Sequence, residues 1–256
     1  MSVSNDLSGT VVLVTGASSG IGEATARAMA AHGAHVALVA RRADRLEALA
    51  TAIRGNYGSA VVIEADIADE AQARRAVART VEEYGRLDTL VNNAGLMLLG
   101  PIADADPAGW TRMIDINVRA LMHCTHAALP HLRTAAGDGT RRVADVVNIS
   151  SVAGRVARAG AGAYNATKFA VGAFSEALRQ EVTAAHVRVS LVEPGAVDTE
   201  LLDQNPAPMQ EALRARLGDL ERLQADDVAH AVAYIVTRPR HVAINELLIR
   251  PTEQVP

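Results

Sequence analysis

Tyr164 and Lys168, a tyrosine and a lysine four positions apart, are the side chains in this sequence best suited to chemistry. On a helix this spacing puts both side chains on one face. An unperturbed tyrosine has a pKa of about 10, and a neighbouring positive charge lowers that pKa because it stabilises the phenolate. The pair therefore predicts proton transfer at neutral pH, although the same spacing alone also fits an ordinary helix.

Ser151 precedes Tyr164 by thirteen positions and follows an apolar run, Val143 to Ile149, that predicts a buried strand. In an open parallel sheet, residues at the carboxyl ends of strands face the ligand cleft. No histidine lies near Ser151 in the sequence to activate it, which disfavours a serine hydrolase. We expect the Ser151 hydroxyl to hydrogen bond to a substrate oxygen.

A glycine-rich turn joins a first apolar run, Thr10 to Thr15, to a helix-like stretch from Glu23 to His32. Its spacing, G-x-x-x-G-x-G, differs from the common G-x-G-x-x-G fingerprint. Glycine lets the backbone approach a pyrophosphate, and the free N–H groups and dipole at the helix start favour an anion. A flexible turn is the alternative to the dinucleotide site that we predict, whose residues are Gly16, Ser18, Ser19, Gly20 and Ile21.

Arg41 and Arg42 follow the second predicted strand, Val36 to Ala40. At this point an acidic residue would favour NAD, whereas arginine accommodates the 2′-phosphate of NADP. The strand end carries no Asp or Glu, so the sequence favours NADP(H). The alternative is that both arginines belong to a solvated helix face.

Two further strand ends carry candidate cofactor contacts. Asp66 and Ile67 follow the strand Ala60 to Glu64, and the Asp66 carboxylate is placed to accept a hydrogen bond from an adenine amino group. The fourth strand, Leu87 to Val91, ends in a polar turn with a glycine, at the edge where parallel sheets bind ligands. The predicted residues of this turn are Asn93, Ala94 and Gly95.

The composition indicates a globular protein with small-molecule partners. The chain has 256 residues, 49% hydrophobic and 21% charged, with a formal net charge of −4 and no long basic run. Nucleic acid and anionic membranes are therefore not expected as partners. With one cysteine and no ligand-like histidine spacing, we expect no metal site. The start of the chain lacks a signal-peptide pattern and no apolar run approaches membrane-spanning length, so a cytoplasmic location is expected.

Strand-like and helix-like segments alternate along the whole chain. Short, continuously apolar runs predict strands that are buried on both faces, as in parallel sheets. The fold class is therefore α/β, with one Rossmann-type domain over residues 1–256 and a doubly wound parallel sheet of about seven strands with helices on both faces. The segment from Thr199 to Asp219 is polar and interrupted by proline, and we expect it to form a substrate lid.

The motifs together resemble the short-chain dehydrogenase/reductase family. The resemblance is carried by Thr15-Gly16-Ala17-Ser18-Ser19-Gly20-Ile21-Gly22, Asn92-Asn93-Ala94-Gly95, Asn117, Ser151, Tyr164-x-x-x-Lys168 and Pro194-Gly195. It implies an NADP-binding oxidoreductase with the catalytic set Asn117, Ser151, Tyr164 and Lys168, and it assigns Arg41 to NADP.

In the mechanism that this resemblance implies, Tyr164 gives a proton to the carbonyl oxygen while the cofactor reduces its carbon. Lys168 would lower the pKa of Tyr164 and hold the nicotinamide ribose, and Asn117 would anchor a water that leads protons toward Lys168. The nicotinamide pocket would be shaped by Pro194, Gly195, Val197 and Thr199.

A narrower resemblance concerns the substrate. The segments Gly95 to Pro101, Trp110 to Asp115, Phe174 to Glu176 and Leu248 to Gln254 are similar to the clavulanic acid dehydrogenase branch of NADPH-dependent aldehyde reductases. This branch shades into NADP-dependent 3-hydroxy acid dehydrogenases. The expected activity is therefore reduction of an aldehyde or ketone, for example one like clavulanate-9-aldehyde, with hydroxy acid oxidation as the alternative.

The sequence alone leaves other functions open. Arg155 and Arg158 either pair with a substrate carboxylate or are solvated surface arginines. A nucleotide-sugar epimerase would need a larger carboxyl-terminal domain. A non-catalytic NADP(H)-sensing module would not need Ser151, Tyr164 and Lys168 together. The family resemblance also implies a homo-oligomer, either a dimer or a tetramer.

Overall fold

A parallel β-sheet forms the centre of the chain. The computed structural model describes residues 7–255, without the side chains of residues 216 and 217. The strands are β1 (Val11–Thr15), β2 (His35–Ala40), β3 (Ala60–Glu64), β4 (Thr89–Asn92), β5 (Ala144–Ile149), β6 (Val187–Pro194) and β7 (Glu246–Ile249). Within the described residues these seven strands lie in the order β3-β2-β1-β4-β5-β6-β7, and each neighbouring pair is parallel.

Helices connect the strands and cover both faces of the sheet. They are α1 (Gly20–Ala31), α2 (Ala43–Asn56), α3 (Glu70–Tyr84), α4 (Pro107–Ile114), α5 (Ala120–Asp138), α6 (Gly162–Val182), α7 (Ala207–Leu217) and α8 (Ala225–Val236). This order confirms the doubly wound α/β fold that the alternating segments predict. The predicted domain of 1–256 extends beyond the description at residues 1–6 and 256.

The alternation of side chains along β1 explains the two hydrophobic cores. Val12 and Val14 point into the core that α1, α2 and α8 cover, where Met29 is fully buried. Val11 and Leu13 point into the opposite core, which α3, α5 and α6 cover. Because successive strand side chains face opposite ways, a strand between two helical layers must be apolar at every position.

The helical stretch around Asn117 differs from the prediction in one respect. We predict a helix from Asp106 to Thr134 that Pro130 breaks, but α5 continues through Pro130 to Asp138. Pro130 removes one backbone donor, while Ala128 and Leu132 on either side of it are fully buried. Between α4 and α5 the chain makes a π-helical turn, Asp115–Arg119, which holds Asn117.

The predicted lid is helical. A 3₁₀ segment, Glu200–Gln204, leads through Asn205 into α7. Asn205 is 5% exposed, and its side chain accepts from the backbone N–H of Leu99 (2.8 Å) and donates to the carbonyl of Met97 (2.8 Å). These bonds fasten the start of the segment to the loop that follows β4.

No helix among the described residues is both long and apolar enough to span a membrane.

Candidate active site

A cavity of about 820 Å³ lies at the carboxyl ends of the central strands. Of the site residues that the sequence predicts, all but Asn117 line this cavity. The cavity wall contains Ser151 and the predicted cofactor residues, namely Gly16, Ser18, Ser19, Gly20, Ile21, Arg41, Arg42, Asp66, Ile67, Asn93, Ala94, Gly95, Tyr164, Lys168, Pro194, Gly195, Val197 and Thr199.

Tyr164 and Lys168 lie in the first two turns of α6, on the stripe that faces the sheet. They are 6% and 5% exposed. The stripe continues through Val171, Ser175 and Leu178, at the three- and four-residue intervals of a buried helix face. The Lys168 ammonium donates to the carbonyl of Ile149 (2.9 Å) and lies 5.8 Å from the centre of the Tyr164 ring.

Burial shifts the pKa values of both groups. It raises the pKa of Tyr164 to about 12, against the opposing effect of a hydrogen bond with Ser151. It also lowers the pKa of Lys168 to about 8. The expectation that Lys168 brings the Tyr164 pKa below its ordinary value is therefore wrong for this structure, because desolvation of the phenolate dominates. The phenol is protonated at neutral pH.

Ser151 lies two residues after the end of β5 and caps a 3₁₀ turn, Val152–Gly154. Its hydroxyl accepts a hydrogen bond from the backbone N–H of Ala153 (3.1 Å) and shares one with the Tyr164 phenol. The turn fixes the hydroxyl beside the phenol. A carbonyl oxygen at this point would meet two hydroxyl donors at once.

Asn117 is 2% exposed and joins two parts of the site. Its side chain accepts from the backbone N–H of Leu96 (2.7 Å), and it donates to the Leu96 carbonyl (2.8 Å) and to the Thr167 hydroxyl (3.0 Å). These bonds hold the loop after β4 against the second turn of α6. The water predicted at Asn117 stays a prediction, since the amide is already bonded to protein groups.

The glycine turn is packed against the loop after β4. A Cβ on Gly16, which has φ +67°, would lie 2.8 Å from the Cα of Ala94. A Cβ on Gly22 would overlap the Gly16 carbonyl oxygen and the Asn93 side-chain amide. That amide donates to the carbonyl of Thr15 (3.0 Å), so Asn93 fastens the turn to the loop after β4. The space in front of the turn is thereby left to a ligand.

Arg42 reaches over the glycine turn, whereas Arg41 is exposed at the cavity wall. The Arg42 guanidinium donates to the hydroxyls of Ser18 (2.9 Å) and Ser19 (2.7 Å), and also to the Glu200 carboxylate (2.9 Å). Arg45 donates to the same carboxylate (2.6 Å), and these two hydrogen bonds lower the pKa of Glu200 to about 2. Sequence reasoning missed both Arg45 and Glu200, because this carboxylate comes from the lid and not from the end of β2.

The remaining predicted cofactor residues occupy fixed positions in the cavity wall. One oxygen of Asp66 accepts from the backbone N–H of Ala68 (3.1 Å). Val197 pairs with Leu223 in a single parallel β-bridge, and the Thr199 side chain lies against Gly20. Gly195 lies against Gln254, whose side chain also accepts from the backbone N–H of Ala196 (2.8 Å).

The structure gives Arg155 and Arg158 different surroundings. The sequence alone allows either arginine to pair with a substrate carboxylate or to be solvated. Arg155 forms ion pairs with Glu193 and Glu246, which hold it against the sheet edge. Arg158 lines the cavity together with Tyr164. Its backbone N–H donates to the side chain of Asn165 (3.1 Å), a buried residue that sequence reasoning missed. The signal for Asn165 was its place beside Tyr164 on the buried face of a helix.

Known proteins similar to this chain share its fold along nearly the whole length. A family model described as short chain dehydrogenase matches residues 10–210. Sulfoacetaldehyde reductase 2 of Chromohalobacter salexigens is 40% identical over 95% of this chain and 95% of its own length. Glycine betaine reductase ATRR of Emericella nidulans is 38% identical over 97% of this chain, which spans 19% of that longer protein.

A solved structure adds the likeness in three dimensions. The closed form of serine dehydrogenase complexed with NADP+ has a TM-score of 0.87 and 33% identity, and the match covers 96% of this chain and 97% of that chain. The sequence motifs, the sheet order and the matched length thus agree. This chain belongs to the short-chain dehydrogenase family of oxidoreductases.

Proposed function

We propose that this protein reduces an aldehyde or a ketone to the alcohol with NADPH. The observation that carries the proposal is the Tyr164 phenol, which burial keeps protonated and which shares a hydrogen bond with Ser151 inside the cavity. Such a group donates a proton to a carbonyl oxygen as negative charge develops there. NADPH, when bound, supplies the hydride for the carbonyl carbon.

The cavity fits the cofactor at the glycine turn. Gly16 and Gly22 let the turn pack closely on the loop after β4, because a Cβ at either position would overlap the neighbouring backbone or Asn93. The backbone of a turn held in this way is free to face a pyrophosphate. Arg42 and Arg41 would hold a 2′-phosphate. The NADP+ complex of the similar serine dehydrogenase supports this assignment.

The catalytic roles follow from the positions of three side chains. Ser151 would hold the substrate oxygen and Tyr164 would protonate it. Lys168, whose ammonium lies 5.8 Å from the Tyr164 ring centre, would stabilise the phenolate that remains and hold the nicotinamide ribose. Asn117 would keep the loop after β4 and the start of α6 in place.

The proposal extends to the substrate, the lid and the assembly of the protein. A substrate like clavulanate-9-aldehyde is one aldehyde that fits it. The segment of residues 199–219 is proposed to act as the substrate lid of the single domain. A dimer or tetramer and a cytoplasmic location stay predictions.

A second candidate is oxidation of a 3-hydroxy acid with NADP+, which the likeness to serine dehydrogenase favours. It uses the same residues in reverse, with Tyr164 as the base. Because the pKa of Tyr164 is raised to about 12, oxidation is expected to be slow at neutral pH and to speed up as the pH rises.

Tyr164→Phe tests the proposed function. We expect the variant to lose at least about 100-fold in kcat for NADPH-dependent aldehyde reduction, because a general acid contributes that much or more. Its affinity for NADPH, measured by fluorescence titration, should change little. Wild-type turnover in the variant would show that Tyr164 is not the acid. A wild-type protein that binds NADPH and reduces none of a panel of aldehydes and ketones would favour the NADP(H)-sensing module.

A further inference from the structure

We propose that Arg158 and Arg112 form an anion-binding subsite, and that the substrate therefore carries a carboxylate or a sulfonate near its carbonyl group. This inference rests on the proposed reductase function. Both arginines line the cavity that contains Tyr164 and Ser151. Arg158 comes from the loop between β5 and α6, and Arg112 comes from α4.

Both guanidinium groups lack a carboxylate partner within the described part of the chain. Among residues 7–255, neither Arg112 nor Arg158 takes part in an ion pair or a side-chain hydrogen bond. Most other arginines near the site are paired, Arg42 and Arg45 with Glu200 and Arg155 with Glu193. A guanidinium keeps its charge at any physiological pH and binds planar oxyanions with two parallel hydrogen bonds.

The acids of the cavity wall do not neutralise these charges. Glu200 is held by Arg42 and Arg45 on the opposite side of the cavity. Asp203 pairs with Arg214 (3.4 Å). Asp66 follows β3, which β2 and β1 separate from β4, and one of its oxygens accepts a backbone N–H. The substrate end of the cavity is therefore positive, with Lys168 adding to Arg112 and Arg158.

The position of Arg158 is fixed relative to the proposed acid. Its backbone N–H donates to the Asn165 side chain (3.1 Å), which in turn donates to the carbonyls of Ala153 (2.7 Å) and Val156 (3.1 Å). Asn165 directly follows Tyr164 on α6. The backbone of the loop at Arg158 is thus fastened to the helix that carries Tyr164.

Several other residues of the cavity wall are apolar. Leu96, Met97 and Leu98 of the loop after β4 and Leu202 of the lid line the same cavity. These side chains offer no hydrogen bonds to an oxyanion. The two guanidinium groups are therefore the groups at this end that would distinguish an acidic aldehyde from a neutral one.

The test compares anionic and neutral aldehydes. Reduction of succinic semialdehyde, sulfoacetaldehyde and butanal by NADPH is measured for the wild type and for an Arg112→Gln, Arg158→Gln double variant. We expect kcat/KM for the better anionic aldehyde to fall at least about tenfold, mainly through KM, because a lost charge-assisted hydrogen bond costs roughly that factor or more. The value for butanal should change less than about twofold.

The matched control is Arg75→Gln, which removes an exposed arginine of α3 that has no ion pair within the described part of the chain and does not line the cavity. It should leave the anionic-to-neutral ratio as in the wild type. The comparison of the two acidic aldehydes shows whether the subsite prefers a carboxylate or a sulfonate. An unchanged ratio in the double variant overturns the subsite.

A binding measurement separates failure of the subsite from failure of the proposed function. Succinate is titrated calorimetrically into the wild type and the double variant, each saturated with NADP+. Saturable binding that the double variant loses supports the subsite whether or not the wild type reduces any aldehyde. Equal binding, or none, by both proteins overturns it. Unchanged melting temperatures of the variants show that the fold is intact.

Discussion

Tyr164 and Lys168 lie one helical turn apart on the same buried stripe, yet burial moves their pKa values in opposite directions. Desolvation disfavours the charged form of each group, so the pKa of the phenol rises to about 12 and that of the ammonium falls to about 8. At pH 7 the phenol holds its proton and the ammonium is mostly charged. This combination suits the protonation of a carbonyl oxygen better than the removal of a proton from an alcohol.

The pH dependence of reduction follows from the Lys168 pKa. Below about pH 8 the ammonium is charged. In the proposed reaction it stabilises the phenolate that forms as Tyr164 gives up its proton. Above that pH the charge is lost, so kcat/KM for aldehyde reduction is expected to fall as the pH rises through about 8. A profile of kcat/KM between about pH 6 and pH 10 measures this, because it reports groups of the free enzyme.

Lys168→Arg is the control for this prediction. Arginine keeps its charge over the whole range, so the residual activity of the variant should show no fall near pH 8. The pKa of Tyr164, at about 12, lies above the range and adds no inflection. A fall near the same pH in Lys168→Arg would mean that another group titrates.

At the scale of the elements, the glycine turn works as a unit with the loop after β4. The Asn93 amide bonds the carbonyl of Thr15, and the Thr15 hydroxyl accepts from the backbone N–H groups of Asn93 (3.0 Å) and Ala94 (3.1 Å). Gly22 lets the start of α1 sit directly on this arrangement. The turn is therefore shaped before any ligand binds.

Gly22→Ala tests how closely the turn is packed. The added methyl group would overlap the Gly16 carbonyl oxygen and the Asn93 amide, so α1 must shift away from the turn. We expect weaker NADPH binding, by about tenfold or more, and a loss of stability of roughly 1–3 kcal/mol from overpacking. Fluorescence titration and thermal denaturation measure the two effects.

Gly55→Ala is the matched control on α2. A Cβ at Gly55 meets no atom within 4 Å, and alanine favours a helix by roughly 1 kcal/mol over glycine. The control should therefore keep its NADPH affinity and gain stability. If Gly22→Ala binds NADPH like the wild type, the close packing of the turn is not needed for the cofactor.

The elements also show what the sequence can and cannot predict. The strands follow from continuous apolar runs, and the cavity residues follow from their places at strand ends. The π-helical turn at Asn117 and the passage of α5 through Pro130 depend on tertiary packing that no local pattern records. The pKa of Tyr164 is missed for the same reason, since the depth of burial comes from the whole fold.

On the scale of the whole molecule, contacts between distant segments are the part that sequence reasoning misses. Glu200 lies 158 positions from Arg42, yet its carboxylate bonds both Arg42 and Arg45. No residue near β2 in the sequence predicts a carboxylate beside Arg42. The arrangement joins the proposed lid to the proposed 2′-phosphate site through ion pairs.

The amino end of the sheet, opposite the cavity, holds a buried ionic cluster that serves the fold. Asp145 of β5 is 1% exposed and accepts from Arg188 of β6 (2.7 Å) and from Arg141 (3.2 Å). Arg188 also donates to the carbonyl of Val236 at the end of α8 (3.1 Å) and to that of Val242 (2.7 Å). The cluster thus ties α8 to the central strands.

Asp145→Asn is expected to destabilise the protein while leaving the site unchanged. The substitution leaves two largely buried guanidinium groups without their counter-charge. Removing one partner of a buried pair costs about 3–5 kcal/mol, and the lower end applies because the backbone carbonyls still accept from Arg188. Denaturant unfolding should show this loss, while kcat and KM of the folded protein at low temperature stay as in the wild type.

Glu70→Gln is the matched control for Asp145→Asn. Glu70 forms an exposed ion pair with Arg74 on α3, and exposed pairs contribute little to stability. Its unfolding curve should therefore match that of the wild type. If both variants were equally stable, the buried cluster would not hold the amino end of the sheet. If Asp145→Asn instead changed KM, the two ends of the sheet would be coupled, contrary to the separation of fold and site that the geometry indicates.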